Sequence, residues 1–491
     1  MRAVKKMRVV FYSSCSNYFD PKIVHIKTLP SWAQEWGAVA AAFPQHKFVI
    51  ATMLPAMFLL DYEGERSFKP EGVECVLLGG GGADKIAEQI LALRPDVAVA
   101  ASFWITPYDW LGLQDAMVAD ILRSAGVRVV SHRADTQAVC FDKARTHDFL
   151  ERNGFACAKA IYVDYDLFWA ERKKPEARDN VYREYVLRQI ERLSFPVIIK
   201  DTVGLSSYGM EVVHTMGQVR NYLESKKFNS NRLVEEFLDG PQFGTEVHVT
   251  KGGQAGTQVQ DAGAAGGIMV NQDCAAIDVF PPLLYSVNQY GICSPKQSVK
   301  LGPLTLRQFD CAELKSELER LARLLDFEGI AQVDLVFHKG KWHIIEINPR
   351  LSGSSAAIAL IKGKTLPRIL TDFALAAAGV QGLEGGATVP PKENLWQENP
   401  PLYLNIKFPN LTPEQMKALY ALPYVHYLCQ TDNDAAKQRR EMGFCEILIG
   451  GSPDPSRLCE QLEEIEKKFP DIIEPAFFDT AKKMTSLLLK K

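Results

Sequence analysis

The feature that most constrains the fold is an alternation of strand-like and helix-like segments in residues 7–132. Between the strand-like runs the apolar residues have helical spacing; in the segment 84–94, for example, Ile86, Ile90 and Leu93 share one face. This alternation predicts a parallel α/β sheet with right-handed crossovers. The strand-like runs are Arg8–Tyr12, Lys47–Ala51, Val73–Leu78, Asp96–Ala100 and Val127–Val130.

The composition is that of a globular protein with several domains. The chain has 491 residues, of which 47% are hydrophobic and 23% are charged. Its 56 Lys and Arg nearly balance its 59 Asp and Glu, so the net charge of −3 provides no broad surface for nucleic acid. No unbroken apolar run reaches the about 18 residues that a membrane helix needs. We expect a cytoplasmic protein with reduced cysteines, no nucleic-acid partner and no membrane segment.

Two glycine- or serine-rich loops follow strand-like runs but lack the dinucleotide pattern. Glycines 79–82 form a turn-like run, and Ser13–Asn17 follows the first strand. Neither contains G-x-G-x-x-G, so a dinucleotide enzyme is disfavoured. The glycine run is either a permissive turn or a point of close approach to a phosphate.

The strongest chemical signal is a hairpin at residues 333–350. If its loop consists of Lys339–Lys341, the register places Asp334 opposite Glu346, with Asn348 two residues along on the same face. A two-residue loop would instead place the two carboxylates on opposite faces. The prediction of a site therefore depends on the length of this loop.

Carboxylates placed opposite each other require a cation. Two carboxylates about 4 Å apart repel by roughly 4 kcal/mol at an effective dielectric constant of about 20. Hard oxygen ligands of this kind suit Mg²⁺, with Mn²⁺ as an alternative. Arg350 follows on the same edge, where a guanidinium could hold a phosphoryl group or a substrate carboxylate. The alternative interpretation is a surface hairpin with a Glu–Arg pair.

A second signal is an apolar strand that ends in a lysine. Phe195–Lys200 is followed by Gly204–Gly209, a loop with two glycines and two serines, and then by another strand-like run. Backbone N–H groups of such a loop can fold over phosphates, although the P-loop pattern is absent. Lys200 would otherwise be a snorkelling lysine on an ordinary hairpin.

A third signal is the strand-like run Leu233–Gly240, which breaks at Asp-Gly. Adenine can be bound by backbone groups of such a connection while a nearby carboxylate accepts the ribose hydroxyls. On its own this signal is weak.

In this order and with these gaps, the three segments resemble the ATP-grasp superfamily, whose members ligate a carboxylate to an amine or another nucleophile through an acyl phosphate. The resemblance covers nearly the whole chain and implies an α/β ATP-grasp fold. The implied domains are an N-terminal Rossmann-like pre-ATP-grasp domain (1–135), the ATP-grasp N-terminal lobe and lid (136–240), the C-terminal lobe with the metal site (241–385) and a small C-terminal α/β domain (400–491).

The resemblance also implies ATP and Mg²⁺ as cofactors. Asp142–Gly154 is similar to the first helix of the family, and Gly204–Met210 is similar to the lid of D-alanine–D-alanine ligases. The implied nucleotide-binding residues are Lys143, Lys200, Ser206, Ser207, Gly209, Glu235, Glu236, Phe237, Leu238 and Glu246. The implied metal ligands are Asp334, Glu346 and Asn348, and the implied catalytic residues are Lys200, Ser207 and Arg350.

Two segments point to a subgroup of the superfamily: the hairpin at residues 333–350, called the metal hairpin below because it carries the implied metal ligands, and the C-terminal segment. Glu346–Gly353 resembles carbamoyl-phosphate synthetase-like members and the L-amino-acid ligases that make dipeptides, and Leu402–Leu488 resembles the C-terminal domain of the latter. Ser352–Ser355 could bind a substrate carboxylate through backbone N–H groups at a helix start, or simply cap that helix.

Two positions depart from the family pattern. D-alanine ligases have an arginine two residues before the metal aspartate, where this chain has Gln332, so the catalytic charge would fall to Arg350. The ribose position is either Gln242 or Glu246, and Glu246 is favoured because a carboxylate accepts both hydroxyls better than an amide does. The first departure weakens an assignment as a D-alanine ligase, and both leave ATP binding intact.

The resemblance implies an ATP-dependent carboxylate–amine ligase that joins amino acids or similar molecules and acts as a homodimer. Its partners would be a small carboxylate and a small amine. The alternatives are a bicarbonate-activating enzyme of the carboxylase or carbamoyl-phosphate type and a non-catalytic nucleotide-binding regulatory protein.

Overall fold

The computed structural model describes residues 6–15, 24–53, 58–63, 66–103, 109–174, 176, 178–204, 209–252, 275–293, 298–380, 395–397, 399–407, 411–433, 444–470, 472–473 and 475–489. No helix among these residues is long and apolar enough to cross a membrane.

The N-terminal part contains the parallel sheet that the alternation predicts. The elements of this part are β1 (Arg8–Ser13), β2 (Val24–Leu29), α1 (Trp32–Ala42), β3 (Lys47–Thr52), β4 (Tyr62–Glu63), β5 (Arg66–Ser67), β6 (Val73–Leu77), α2 (Ala83–Ala92), β7 (Val97–Ala100), α3 (Gly112–Ser124) and β8 (Arg128–Val130). The strands of the parallel sheet run in the order β6-β3-β1-β7-β8, and every neighbouring pair is parallel. The predicted strands agree with the observed ones to within about a residue.

A small antiparallel sheet follows. The elements of this part are α4 (Ala134–Cys140), α5 (Lys143–Arg152), β9 (Ala160–Val163), α6 (Tyr165–Phe168), α7 (Ala170–Lys173), α8 (Val181–Ile190), β10 (Val197–Asp201), β11 (Glu211–Val213), α9 (Met216–Glu224) and β12 (Arg232–Glu236). The strand order is β11-β10-β12-β9, and β10 and β12 carry two of the predicted nucleotide segments.

The rest of the chain forms a large, mainly antiparallel sheet. Its elements are β13 (Gln242–Lys251), β14 (Ala275–Val279), β15 (Leu283–Tyr285), β16 (Lys300–Gly302), α10 (Cys311–Leu324), β17 (Gly329–His338), β18 (Lys341–Asn348), α11 (Ser355–Ile361), α12 (Leu366–Ala377), β19 (Leu402–Lys407), α13 (Pro413–Tyr420), β20 (Val425–Asn433), β21 (Phe444–Ser452), α14 (Pro455–Lys468) and α15 (Pro475–Leu489). The order is β18-β17-β13-β15-β16-β19-β21-β20-β2-β4-β5, and β14 also pairs with β13.

The C-terminal strands do not form a sheet of their own, although the sequence suggests a small domain at 400–491. Strand β19 pairs with β16, so the large sheet runs from the metal hairpin into this region. At its far end β20 pairs with β2 of the N-terminal part. The physical reason is that an unpaired strand edge exposes backbone N–H and C=O groups. Pairing with β19 satisfies these groups of β16.

The N-terminal sheet and helix α12, which follows the hairpin of β17 and β18, share one hydrophobic core. Val97 and Val99 of β7 lie in the same buried cluster as Ile369 and Phe373 of α12. The loops at the carboxyl ends of the parallel strands are thereby held against the segment that follows β18.

Helix α1 buries a carboxyl group in this core, which predicts a pH-dependent stability. Burial, together with the nearby Asp61 carboxylate, raises the pKa of Glu35 to about 8, and Glu35 Oε2 has no hydrogen-bond partner among the described residues. Because the folded state keeps the proton and the unfolded state releases it near pH 4.5, the wild-type protein loses stability as the pH rises from about 4.5 through 8.

Replacing this side chain by its neutral isostere tests that expectation. We expect Glu35→Gln to be more stable than the wild type by on the order of a few kcal/mol at pH 8.5, with the difference shrinking towards pH 4.5. Urea unfolding at several pH values measures it, and Glu88→Gln on the exposed face of α2 is the control. Parallel pH profiles for wild type and Glu35→Gln would contradict the assignment.

Candidate nucleotide and metal site

The metal hairpin places Asp334 opposite Glu346, as predicted, but its loop is shorter than predicted and a β-bulge restores the register. The loop has two residues, Lys339 and Gly340, because His338 pairs with Lys341. Both loop residues have positive φ, 48° and 78°, as a type I′ turn requires. A β-bulge between Asp334 and Leu335 then shifts the register by one residue.

The expectation that a two-residue loop separates the carboxylates is therefore wrong. The bulge places Ile345 outside the pairing, since Leu335 pairs with Ile344 and Asp334 pairs with Glu346. A one-residue shift returns both carboxylates to one face of the sheet.

The two carboxylates are half-buried, and neighbouring groups offset part of the cost of placing them together. Burial, and secondarily the negative charge of Glu346, raises the pKa of Asp334 to about 7, while Gln332, Lys300 and Arg350 act in the opposite direction. The residue Gln332, where D-alanine ligases have arginine, donates a hydrogen bond to Asp334 Oδ1. An amide thus occupies the position of the charged group in those ligases.

Hydrogen bonds link the metal hairpin to Arg350. Asn348 Nδ2 donates to Gln332 Oε1 at 2.8 Å, and Arg350 Nη2 donates to Asn348 Oδ1 at 3.2 Å. Arg350 Nη1 also donates to the Leu351 carbonyl at 3.0 Å, and its guanidinium lies 6.0 Å from the ring of Phe103. These contacts hold the arginine beside the carboxylate pair.

Lys143 connects three of the predicted segments. It is the first residue of α5, its side chain is buried, and Nζ lies 3.4 Å from Glu346 Oε1. Nζ also donates to the carbonyl of Gly204, where the predicted lid begins. The ammonium therefore lies between the hairpin of β17 and β18 and the start of the predicted lid, and its binding of phosphate stays a prediction.

Lys200 is buried and paired with a carboxylate rather than snorkelling to the surface. Its Nζ forms an ion pair with Glu235 Oε2. The two residues are diagonal neighbours, since Lys200 pairs with Leu233 and Glu235 lies two residues further along β12. The side chain of Glu235 thus has a role that the sequence did not reveal.

In the segment expected to bind adenine, some backbone N–H groups already form hydrogen bonds within the protein. The N–H groups of Glu236 and Phe237 donate to the carbonyls of Lys159 and Pro196 at 2.9 and 3.0 Å. The Glu236 carboxylate accepts from the N–H of Ser194 at 2.9 Å. Leu238 lies just beyond the end of β12, and its N–H stays a prediction as an adenine contact.

The lid is described only at its two ends. Ser206 and Ser207, the predicted contacts of the γ-phosphate, lie outside the described residues. Gly209 has a φ of +72°, and a Cβ there would lie 2.7 Å from Asp201 Oδ2. Glycine is required at this position by both conformation and space.

Glu246 does not present a carboxylate to a ribose, which corrects the preference for it. Its side chain is fully buried; Ser352 and Ser355 donate to Oε1 at 2.7 and 2.5 Å, and Oε2 lies 2.9 Å from His248 Nε2. The same bonds account for the two serines, which bind Glu246 rather than capping α11 in the ordinary way. Gln242, the other candidate, donates through Nε2 to the Gly291 carbonyl and accepts at Oε1 from the Cys293 N–H at 3.1 Å, and its binding of ribose stays a prediction.

A buried lysine that the sequence interpretation did not single out also lies in this site. Lys300 donates to Ser354 Oγ, and its Nζ lies 5.2 Å from the ring centroid of Tyr285. The available signal was a lysine between Val299 and Leu301 in an apolar strand. That is the same signal that identified Lys200.

The donor set fits a hard divalent cation. In the part of the chain that the structure describes, no group of three or more His, Cys, Asp or Glu side chains could hold a metal ion. The two facing carboxylates and the amide oxygen of Asn348, which keeps a second lone pair beside its bond from Arg350, offer oxygen atoms only. Such a set suits Mg²⁺ with phosphate oxygens completing its coordination.

Comparison with known sequences finds a family match over the strands of this site, while Lys143 lies before the matched residues. Residues 162–354 match the family described as D-ala D-ala ligase C-terminus. The carbamoyl phosphate synthase large chain of Pasteurella multocida is 21% identical over 304 residues, which is 60% of this chain. The match spans 24% of that relative, so this chain corresponds to about a quarter of its length.

Solved structures share the architecture over almost the whole chain. The L-amino acid ligase from Bacillus licheniformis superposes with a TM-score of 0.58 at 14% identity, covering 94% of this chain and 98% of that one. The biotin carboxylase domain of Hydrogenobacter thermophilus 2-oxoglutarate carboxylase, a dimer with MgADP and bicarbonate, gives 0.56 at 12% identity, covering 93% and 89%. With the parallel N-terminal sheet and the two antiparallel sheets, these matches show that the chain has the ATP-grasp fold.

Proposed function

We propose that the protein is an ATP-dependent carboxylate–amine ligase that forms an amide bond through an acyl phosphate and releases ADP and phosphate. The observation that carries this proposal is the facing pair Asp334 and Glu346, with Lys143 at 3.4 Å from Glu346 and Arg350 hydrogen-bonded to Asn348. The two cationic side chains can bind polyphosphate and a transferring phosphoryl group directly, and the two carboxylates can do so through a divalent cation.

The chemistry requires activation of the acid. A free carboxylate is a poor electrophile, so the γ-phosphoryl group is first transferred to it, and the amine then displaces phosphate from the acyl carbon. A divalent cation bound by Asp334, Glu346 and Asn348 would offset the charge of the phosphates. Lys200 would bind the nucleotide phosphates, and Arg350 would stabilise the negative charge of the group in transfer.

The lid would protect the intermediate from hydrolysis. Acyl phosphates react readily with water, so water has to be excluded while the amine attacks. The contact between Lys143 and the Gly204 carbonyl links the start of the lid to the metal hairpin. Closure of the lid would therefore move Lys143 relative to Glu346, at the end of the hairpin where we propose that phosphate binds.

Activation of bicarbonate is the second candidate. The biotin carboxylase domain that superposes on the chain was solved with bicarbonate and MgADP, and its TM-score of 0.56 is close to the 0.58 of the L-amino acid ligase. Bicarbonate is a carboxylate-like substrate for the same phosphoryl transfer. The two candidates differ in the acid, not in the metal hairpin.

A substrate panel separates these candidates. The protein would be incubated with Mg-ATP and with the common amino acids, singly and in pairs, and separately with bicarbonate, with Glu346→Ala as the blank. We expect phosphate release that requires a particular pair, together with a product whose mass is the sum of the two minus water. Phosphate release and product mass are measured on the same samples.

Each other outcome points away from the ligase. Release with bicarbonate and no amino acid would favour the carboxylase candidate. No release with any acid, while ATP still binds, would favour a non-catalytic nucleotide-binding protein. Equal release by the Glu346→Ala protein would show that the signal comes from a contaminant.

A further inference from the structure

Arg350 lies in a short segment, residues 349–355, that leads from β18 into α11 and is called the arginine segment below. Gln137 of α4 donates from Nε2 to the Pro349 carbonyl at 2.7 Å, and the Gln137 side chain is 5% exposed. Gly112 of α3 makes room for this glutamine, because a Cβ at Gly112 would lie 2.3 Å from Gln137 Oε1. A buried side chain from outside the hairpin therefore holds the start of the segment.

The end of the arginine segment is held by Glu246 of β13. Ser352 and Ser355 donate to Oε1 of Glu246 at 2.7 and 2.5 Å, and all three side chains are buried. Within the segment, the Ser352 N–H donates to Ser355 Oγ at 2.8 Å, and the Ser354 N–H donates to Ser352 Oγ at 3.0 Å. The backbone that follows Arg350 is thus tied to a buried carboxylate through the serine hydroxyls.

The Glu246 carboxylate is itself fixed from its other side. His248 Nε2 lies 2.9 Å from Glu246 Oε2, and Lys362 Nζ lies 3.1 Å from His248 Nδ1. Because an ammonium can only donate, Nδ1 accepts, and Nε2 of the neutral ring carries the proton and donates to Glu246. Asp278 pairs with Lys362 at 2.5 Å. Hydrogen bonds at both oxygens therefore prevent the carboxylate from turning away from the serines.

Packing alone does not require a carboxylate at this place. Taking an ion out of water is costly, and apolar residues of similar volume often give equal or greater stability. Hydrogen bonds from buried neighbours fix a backbone position more closely, and a small displacement of a catalytic group is costly to the rate. Arg350 is the one charged residue in the sequence of the segment, and its Nη2 donates to Asn348 Oδ1 at 3.2 Å. Arg350 is therefore the group that benefits from the restraint.

We propose that Gln137 and Glu246 are positioning residues that hold the two ends of the arginine segment and so place the Arg350 guanidinium against the phosphoryl group in transfer. They act through the segment rather than on the substrates. The inference rests on the proposed function for the role of Arg350, whereas the restraint of the segment is independent of any reaction. Nucleotide binding is left to Lys143 and Lys200.

Hydrogen–deuterium exchange measures the restraint without a substrate. We would compare the MgADP-loaded wild type with Gln137→Ala and Glu246→Leu, and use Gln308→Ala, a change at an exposed glutamine, as the control. We expect exchange in residues 349–355 to become about 10-fold faster in both variants, with unchanged exchange in β17. If Glu246→Leu does not fold, the Ser352→Ala, Ser355→Ala double variant removes the same hydrogen bonds and takes its place.

A double-mutant cycle tests whether Gln137 is the group that acts. Gly112→Ala displaces the Gln137 side chain without replacing it, so it should reproduce the faster exchange of Gln137→Ala. In the Gln137→Ala background the obstructed side chain is gone, and Gly112→Ala should have no further effect on exchange in residues 349–355.

Steady-state kinetics test the consequence for Arg350. With the acid found in the substrate panel, kcat should fall by about 10-fold or more in Gln137→Ala and Glu246→Leu, while the KM for ATP stays within about twofold. Glu246→Gln keeps an oxygen that accepts from the serines, so it should retain more of kcat than Glu246→Leu does. A purely structural role would lower the melting temperature without separating kcat from the KM for ATP.

The outcomes distinguish this inference from the ligase proposal. Unchanged exchange in residues 349–355 would overturn the inference whatever the activity, and so would faster exchange that extends through β17. A kcat within about twofold of the wild type in a variant with a loosened segment would overturn it as well, because Arg350 would then not need the restraint. Faster exchange confined to the segment, in a protein whose wild type releases phosphate with no acid, would uphold the restraint and reject the ligase proposal.

Discussion

Glu346→Gln is expected to lower acid-dependent phosphate release by about 10³-fold or more while the protein remains folded. Glu346 faces Asp334 across the hairpin and lies 3.4 Å from Lys143. The isosteric amide keeps the shape of the side chain but removes one of the two negative charges that bind the cation. Several kcal/mol of charge stabilisation are lost in the transition state for phosphoryl transfer.

The measurement compares kcat and melting temperature for this variant and for Glu317→Gln, a surface control in which the carboxylate pairs with Arg320. Removing the charge of Glu346 relieves its repulsion with Asp334 but also takes a carboxylate away from the buried Lys143, so the two effects oppose each other and the melting temperature should change little. Activity above about a tenth of the wild type, at saturating Mg²⁺, would contradict a metal-binding role for Glu346.

The second large effect is expected at the buried pair of Lys200 and Glu235. Their side chains are 7% and 8% exposed, so removal of one charge leaves the other buried without a charged partner. We expect Lys200→Met to lower the free energy of unfolding by about 3–5 kcal/mol, because an unpaired buried carboxylate is costly. Binding of Mg-ATP should fall in the same variant.

A double variant separates the two consequences. Lys200→Met combined with Glu235→Leu leaves no buried charge, so its stability should return close to that of the wild type. Its affinity for Mg-ATP should stay low, because the lysine that contacts phosphate is still absent. Urea unfolding and nucleotide titration measure the two properties independently.

The surface pair of Lys227 and Glu211 serves as the control for this cycle, since its lysine side chain is 63% exposed. Lys227→Met should change stability by less than about 1 kcal/mol. Recovery of both stability and Mg-ATP affinity in the double variant would show that Lys200 has only a structural role.

Local pattern was sufficient for the parallel sheet and for the candidate residues of the hairpin. Strand-like runs separated by amphipathic segments can bury their apolar faces in few ways, so strands β1, β3, β6, β7 and β8 were predictable to within about a residue. The side chains of Asp334, Glu346 and Asn348 were predictable because oxygen-bearing residues interrupt two otherwise apolar runs.

Pairing between distant strands was not predictable from local pattern. The bulge beside Asp334 depends on how β17 packs between β13 and β18, and no feature of the turn residues encodes it. The pairing of β16 with β19 likewise joins residues about a hundred positions apart, which is why the C-terminal segment resembled a separate domain.

The sequence by itself was enough to predict the parallel sheet and to identify the carboxylates of the hairpin and the lysines Lys143 and Lys200 as candidates, because apolar periodicity and polar residues within apolar runs are local properties. Tertiary structure decided which polar groups are available. The Glu246 carboxylate accepts hydrogen bonds from Ser352 and Ser355. Lys300 donates to Ser354 and has no carboxylate partner among the described residues. The physical reason is that the cost of burying a charge depends on its neighbours in space, and those neighbours come from strands and loops far apart in the chain.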